Sequence, residues 1–120
     1  HGLDGMIVSN TTLSRNGLRN PNKSETGGMS GAPLFALSTD VLRDMYRLTK
    51  GGITLIGAGG ISSGADAYAK IRAGATLVQF YTALAYAGPR LVMTVKQELA
   101  SCLRRDGFSS VLEAVGADLN

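Results

Sequence analysis

The sequence predicts an α/β fold with a parallel sheet. Three short apolar runs rich in β-branched residues alternate with longer segments in which apolar residues recur every three or four positions. Glycine occupies 16 of the 120 positions without a triplet period, which indicates many tight turns. A helix between two strands returns the chain to the same edge of the sheet, so strands that alternate with helices are expected to run parallel.

The first βα unit begins with a short strand. Met6–Val8 is apolar and β-branched, as expected of a buried strand, and an irregular loop interrupted by glycine and proline is predicted over 13–37. Thr39 is predicted to cap a helix that ends at the pair Gly51–Gly52.

The second unit repeats this pattern. A strand is predicted at Ile53–Ile56, and the helix that follows ends at Gly74. Ser63, with Asp66 three residues later, resembles the capping box that begins many helices.

The third unit starts with a predicted strand at Leu77–Tyr81. Residues 82–87 can form a short helical turn, and a longer amphipathic helix is predicted from Gly88–Pro89 to Gly107. A final short helix is predicted around Val111–Val115.

Three parallel strands are too few for a complete sheet of this class. A closed eight-fold barrel needs about 250 residues, and an open three-stranded sheet would leave long apolar edges exposed. The chain also begins with His1–Asp4, without an initiator Met, a basic leader or an apolar targeting core. We therefore expect residues 1–120 to be the C-terminal three βα units of one (β/α)8 TIM-barrel domain, incomplete without upstream residues.

The composition excludes several classes of protein. With 44% hydrophobic and 18% charged residues, the chain is globular rather than disordered. The net charge is +3, but the basic residues are scattered, so nucleic-acid binding is not expected. A single Cys excludes an intramolecular disulfide, and no apolar run reaches the roughly 18 residues that a membrane span needs. His1 has no partner at metal-ligand spacing, so no metal site is predicted.

Two loops are the strongest candidates for an anion site. In barrels, phosphate commonly lies between the loops that follow the last two strands, at the start of a short extra helix. Gly59–Gly60 and Tyr81–Thr82 take these places if the three strands are the last three, and glycine lets backbone N–H groups approach phosphate oxygens closely. The alternative is that the glycines only shape turns. Ser62 stands where a dinucleotide-binding fingerprint needs its third glycine, so that motif is absent.

Polar residues also follow the first predicted strand. In Ser9–Thr12, an Asn amide next to a Thr hydroxyl suits a neutral heterocycle that presents alternating N–H and C=O groups. The alternative is a turn that closes the strand. The loop after this segment has the length of a lid, with hinges at Gly27, Gly28 and Gly31; the alternative is a disordered surface loop.

Four sequence blocks closely resemble class 2 dihydroorotate dehydrogenase, and they occur in the order found in that family. The blocks are SNTTLSR (9–15), SETGGMSGAPL (24–34), IGAGGISSG (56–64) and IRAGATLVQFYTAL (71–84). The tail over 107–118 resembles that of the animal-type enzymes.

This resemblance implies a flavin-containing (β/α)8 barrel that oxidises dihydroorotate to orotate in pyrimidine synthesis. It implies FMN as the cofactor, ubiquinone as the final electron acceptor and a location at the mitochondrial inner membrane. The family's catalytic serine, its flavin-side lysine and its membrane-associated quinone tunnel match no part of this sequence and are expected before His1. The segment alone is therefore expected to be inactive.

The resemblance also implies roles for individual residues. Asn10 and Thr11 match the pair that hydrogen-bonds the orotate ring. The residues that match flavin-binding positions are Ser9, Ser30, Gly31, Gly59, Gly60, Tyr81 and Thr82. The last four of these match positions that hold the flavin phosphate. Two other functions stay open from the residues themselves: a phosphate-binding barrel isomerase or synthase, and a non-catalytic fragment.

Overall fold

Three parallel strands form one sheet in the computed structural model, which describes residues 2–119. In the order in which they lie side by side, the strands are β1 (Gly5–Val8), β2 (Thr54–Ala58) and β3 (Leu77–Gln79). Gly57 of the central strand pairs with Val8 on one side and with Val78 on the other. Because the strands are parallel, their carboxyl ends meet at one edge of the sheet.

Helices follow each strand, so the predicted α/β class and the three βα units are confirmed. The helices are α1 (Phe35–Thr49), α2 (Gly64–Arg72), α3 (Thr82–Ala87), α4 (Arg90–Arg105) and α5 (Val111–Ala114). Among residues 2–119, no helix combines the length and the apolar character that crossing a bilayer requires.

The first helix begins earlier than predicted, and Thr39 does not cap it. A 3-10 turn at Ala32–Leu34, with Pro33 in it, leads directly into α1 at Phe35. Proline supplies a helical φ and needs no N–H partner in a first turn, so the helix can start there. The Thr39 hydroxyl lies inside the helix and donates to the Phe35 carbonyl at 2.6 Å, which satisfies it without a cap.

The prediction of an irregular loop over 13–37 is therefore wrong at its C-terminal end, because helical structure already begins at Ala32. It also contains a 3-10 turn at Pro21–Ser24. A two-way backbone bridge between Thr12 and Met29 closes the base of the loop, with N–H to O distances of 3.1 and 2.7 Å.

The second helix begins as the sequence predicts. The Ser63 hydroxyl accepts a hydrogen bond from the Asp66 N–H at 3.1 Å. The Asp66 carboxylate returns to the N–H and hydroxyl of Ser62, both at 3.0 Å, one residue before the usual partner of a capping box. The loop between β2 and α2 is thus held at its C-terminal end.

Strand boundaries differ slightly from the prediction. The central strand extends to Ala58, whereas β3 ends at Gln79 and leaves Phe80 and Tyr81 outside the ladder. Apolar character continues through Phe80 because its side chain packs in the core beneath α4, and not because the backbone is paired.

Clusters of buried apolar side chains pack the helices against the sheet. Leu42 of α1 and Leu55 of β2 are fully buried and pack with Val8. In a second buried cluster, Ile61 packs with Leu91 and Val95 of α4. Burying each such side chain contributes about 1.5–3 kcal/mol, so these contacts dominate the placement of the strand exits.

The C-terminal tail returns to α2. Arg72 of α2 forms ion pairs with Asp106 at 3.3 Å and with Asp118 at 2.5 Å, and the Tyr68 hydroxyl donates to Asp106 at 2.8 Å. The hydrogen bond from Arg105, followed by that from Tyr68, lowers the pKa of Asp106 to about 2. The tail therefore braces the outer face of α2.

Candidate functional site

A cleft of about 560 Å³ lies at the carboxyl edge of the sheet. The exits of all three strands and the segment before α1 line it. Every residue that the sequence assigns to ligand binding is among the lining residues, namely Ser9, Asn10, Thr11, Ser30, Gly31, Gly59, Gly60, Tyr81 and Thr82. The structure therefore brings the nine residues together, and their binding roles stay a prediction.

Gly59 and Gly60 form the exit of β2 and lie directly on the start of α1. Their φ angles are +100° and +76°, a region that L side chains rarely adopt. A Cβ added to Gly60 would lie 2.5 Å from the Phe35 Cβ and 2.6 Å from the Phe35 backbone nitrogen. Within residues 2–119, the Gly60 N–H has no hydrogen-bond acceptor. Both glycines are thus required by conformation and by their contact with α1, because a Cβ on Gly59 would lie 2.8 Å from the Ser38 Oγ.

The exit of β3 lies next to this loop, because β2 and β3 are neighbouring strands that pair Ala58 with Gln79. Tyr81 precedes α3, and no side chain caps the helix. The backbone N–H groups of Thr82 and Ala83 have no acceptor among the described residues, as expected in a first helical turn. Two neighbouring strand exits therefore present unpaired N–H donors.

Ser30 and Gly31 approach the same place from the long loop. The Thr82 hydroxyl donates to the Ser30 hydroxyl at 3.2 Å, and a Cβ on Gly31 would lie 3.3 Å from the Thr82 methyl group. Gly31 has φ +82° and leads into the 3-10 turn before α1. This contact joins the loop to the start of α3 and forms one wall of the cleft.

Asn10 and Thr11 form the opposite wall, at the exit of β1. The Asn10 side-chain oxygen accepts a hydrogen bond from the Thr11 N–H at 2.8 Å. The Asn10 amide NH2 has no acceptor in the part of the chain that the structure describes. This bond to the neighbouring residue orients the Asn10 side chain and leaves its two N–H donors for a ligand.

Arg15 holds the long loop in shape, and sequence reasoning missed it. Its guanidinium donates to the carbonyl oxygens of Lys23 and Glu25, both at 3.2 Å, and to that of Gly27. Nothing in the pattern around Arg15 distinguishes it from a solvated basic residue, because its partners are backbone carbonyls. The loop is ordered by this residue and by the Thr12–Met29 bridge.

The cleft carries no charged side chain among its described lining residues. An anion bound there would be held by backbone N–H groups and hydroxyls. Residues 2–119 also contain no cluster of three or more His, Cys, Asp or Glu side chains that could hold a metal ion, and His1 lies outside the described residues.

Comparison with known proteins assigns the chain to a family. The family model for dihydroorotate dehydrogenase matches residues 1–103. The chain belongs to the dihydroorotate dehydrogenase family. The resemblance to class 2 members is confirmed, because the relatives carry the name dihydroorotate dehydrogenase (quinone).

Three relatives show the extent of the similarity. The mitochondrial dihydroorotate dehydrogenase (quinone) of Arabidopsis thaliana is 65% identical over 118 residues, covering 97% of this chain and 26% of that protein. The protein of Parvibaculum lavamentivorans is 65% identical over 120 residues, covering 99% and 34%. The mitochondrial protein of Mus musculus is 55% identical over 118 residues, covering 98% and 30%. The chain thus spans about a quarter to a third of the length of these dehydrogenases.

Solved structures of the family superpose closely. Dihydroorotate dehydrogenase from Eimeria tenella in complex with ferulenol matches with a TM-score of 0.95 at 48% identity, covering 99% of this chain and 32% of that one. A ligand-free structure of the same enzyme gives the same TM-score. The three βα units of this dehydrogenase segment are therefore part of a (β/α)8 TIM barrel, as predicted.

Proposed function

We propose that this chain supplies one side of the cofactor and substrate site of an enzyme that oxidises dihydroorotate to orotate. In this proposal FMN accepts the hydride and ubiquinone is the final electron acceptor. The observation that carries the proposal is the convergence of all nine predicted binding residues on one cleft at the carboxyl edge of the sheet.

The donor set of the cleft fits a phosphate group. Gly60, Thr82 and Ala83 offer N–H groups without acceptors in the described chain, from two neighbouring strand exits. Phosphate oxygens accept such bonds, and Gly60 has no side chain that would hinder their close approach. We propose that Gly59, Gly60, Tyr81 and Thr82 hold the FMN phosphate. When bound, FMN supplies the redox chemistry, and the chain supplies orientation and electrostatics.

The remaining cleft residues are proposed to face the ring system and the substrate. Ser9, Ser30 and Gly31 also line the cleft, where they can contact the flavin. Asn10 and Thr11, at the exit of β1, are proposed to orient dihydroorotate through its ring N–H and C=O groups. These residues bind and position. The base that removes the substrate proton is proposed to belong to another part of the barrel.

We propose that residues 1–120 belong to a single barrel domain whose C-terminal part they form. The outer strands support this, because Ile7 of β1 is 55% exposed and Leu77 of β3 is 57% exposed, and both would be covered by further barrel strands and helices. Membrane association and the quinone site are proposed to lie in other segments. A mitochondrial inner-membrane location is proposed because the plant and mouse relatives are named as mitochondrial.

Substitution of Asn10 tests the substrate assignment. In the full-length protein, we expect Asn10→Ala to lower kcat/KM for dihydroorotate by about 10- to 100-fold, because one or two hydrogen bonds to the substrate are lost. Flavin content, measured from visible absorbance, should stay at the wild-type level. A colourless wild-type protein, or a variant that loses flavin while its turnover per bound flavin is unchanged, would contradict the assignment. The colourless result would favour the isomerase or synthase alternative.

Gly28 provides a second test of the same wall. A Cβ at Gly28 would overlap the Thr11 hydroxyl, whereas one at Gly27 would enter open space. We expect Gly28→Ala to displace Thr11 and to raise KM for dihydroorotate about tenfold. Gly27→Ala is the control for stiffening and strain in the loop, because Gly27 has φ +118°. Equal effects of the two substitutions on KM would show that contact with Thr11 is not the cause.

A further inference from the structure

Lys70 is a buried lysine that does not line the cleft, and the proposed function gives it no role. It lies on α2 and is fully buried, with 0% of its surface exposed. Its ammonium donates to the Ser38 hydroxyl at 2.6 Å and to the Phe35 carbonyl at 3.3 Å, and it lies 4.8 Å from the centre of the Phe35 ring. Burying a lysine is costly, so its retention in the core points to a role.

Hydrogen bonds of Ser38 connect Lys70 to Gly59, in the loop that follows β2. The Ser38 hydroxyl has one proton, and both the Gly59 carbonyl (3.1 Å) and the Phe35 carbonyl (3.2 Å) are within reach. The Phe35 carbonyl already receives the Thr39 hydroxyl and the Lys70 ammonium. Because Lys70 and Thr39 already donate to the Phe35 carbonyl, the Ser38 proton is directed to the Gly59 carbonyl.

The Gly59 carbonyl determines where the next N–H points. In a planar trans peptide, the C=O of one residue and the N–H of the next point in opposite directions. The bond from Ser38 holds the Gly59 oxygen toward α1. The Gly60 N–H, which has no acceptor in residues 2–119, is then directed away from α1, on the side where Gly60 lines the cleft.

The charge state of Lys70 suits this role. Burial, followed by the charge of Arg43 on α1, lowers the pKa of Lys70 to about 8, against the opposing effect of Asp66 on α2 and Asp40 on α1. At neutral pH the amine is still mainly protonated, so all its protons are donors. It is also a cation close behind a cleft that has no charged lining side chain in the described residues.

We propose that Lys70 is a positioning residue that acts through Ser38 to hold the Gly59–Gly60 peptide with its N–H toward the cofactor phosphate. This proposal rests on the proposed function, because it assumes a phosphate in the cleft. It adds a role for two core residues that do not touch the ligand. Its specific consequence is that Lys70 supports binding of the phosphate group and not of the flavin ring.

The experiment compares FMN with riboflavin, which lacks the phosphate. In the full-length protein, dissociation constants for both flavins are measured by fluorescence titration of the apoprotein, for the wild type and for Lys70→Met and Ser38→Ala. Lys96→Met is the matched control, because Lys96 is an exposed lysine on α4. We expect Lys70→Met and Ser38→Ala each to weaken FMN binding about tenfold or more, with riboflavin binding changed less than about threefold.

Thermal unfolding of the apoprotein separates positioning from stability. Lys70→Met removes the cost of burying an ammonium together with two hydrogen bonds, and because these effects oppose each other we expect the unfolding midpoint to stay close to that of the wild type. Equal weakening of FMN and riboflavin, or an unchanged FMN constant in both variants, would overturn the role of Lys70 and leave the proposed function intact. If Lys70→Met does not fold, Ser38→Ala decides by the same ratio. A wild type that binds FMN no better than riboflavin would overturn both proposals.

Discussion

Gly60→Ala is expected to abolish most flavin binding by the full-length protein. The new Cβ would lie 2.5–2.6 Å from the backbone nitrogen, Cα and Cβ of Phe35, and none of these atoms belongs to the flexible end of a side chain. The φ of +76° adds strain for any L side chain. The loop must therefore move off α1, and the Gly60 N–H leaves the position proposed for phosphate binding. Flavin content per mole of purified protein, read from visible absorbance, measures the loss.

A matched control separates strain from collision. Gly107 has φ +81°, and nothing lies within 4 Å of a Cβ built there. Gly107→Ala thus carries the conformational cost, roughly 1 kcal/mol, without a contact near the cleft, and we expect wild-type flavin content. Retention of flavin by Gly60→Ala, with an FMN dissociation constant within about threefold of wild type, would rule out a phosphate contact at Gly60.

Leu42→Ala is expected to lower the free energy of unfolding by about 2–5 kcal/mol. Leu42 is 0% exposed and packs α1 against the sheet through Leu55 and Val8. Removing its side chain leaves a cavity that the surrounding backbone cannot fill, because β1 and β2 are held by their ladder. Denaturant unfolding of the full-length protein, followed by far-ultraviolet circular dichroism, measures the change.

Leu48 on the same helix serves as the control. Its side chain is 77% exposed, so Leu48→Ala removes the same atoms without a cavity, and we expect a change within about 0.5 kcal/mol. Comparable losses in the two variants would show that burial behind the sheet does not account for the effect of Leu42→Ala.

Sequence reasoning succeeded where the signal is local. Ser63 caps α2 as predicted, because a Ser hydroxyl that accepts the N–H three residues later is a contact within one helical turn. It failed at Thr39, where a similar residue type lies inside the helix and its hydroxyl bonds the Phe35 carbonyl. Residue type alone does not distinguish these two environments. The start of α1 depends on the 3-10 turn at Ala32–Leu34. Gly31, which lines the cleft, leads into that turn.

The sequence by itself determined the alternation of strands and helices, and it identified the loops that bear glycine and polar side chains at the strand exits. Periodicity and glycine conformation are properties of a few neighbouring residues, so they can be recognised without a fold. Only the tertiary structure decided how those loops meet. The bonds from Lys70 to Ser38 and from Ser38 to Gly59 join positions 32 and 21 residues apart, and no local pattern specifies such pairs. They form because packing of α1 and α2 against the sheet excludes water and leaves each buried polar group to find a partner within the protein.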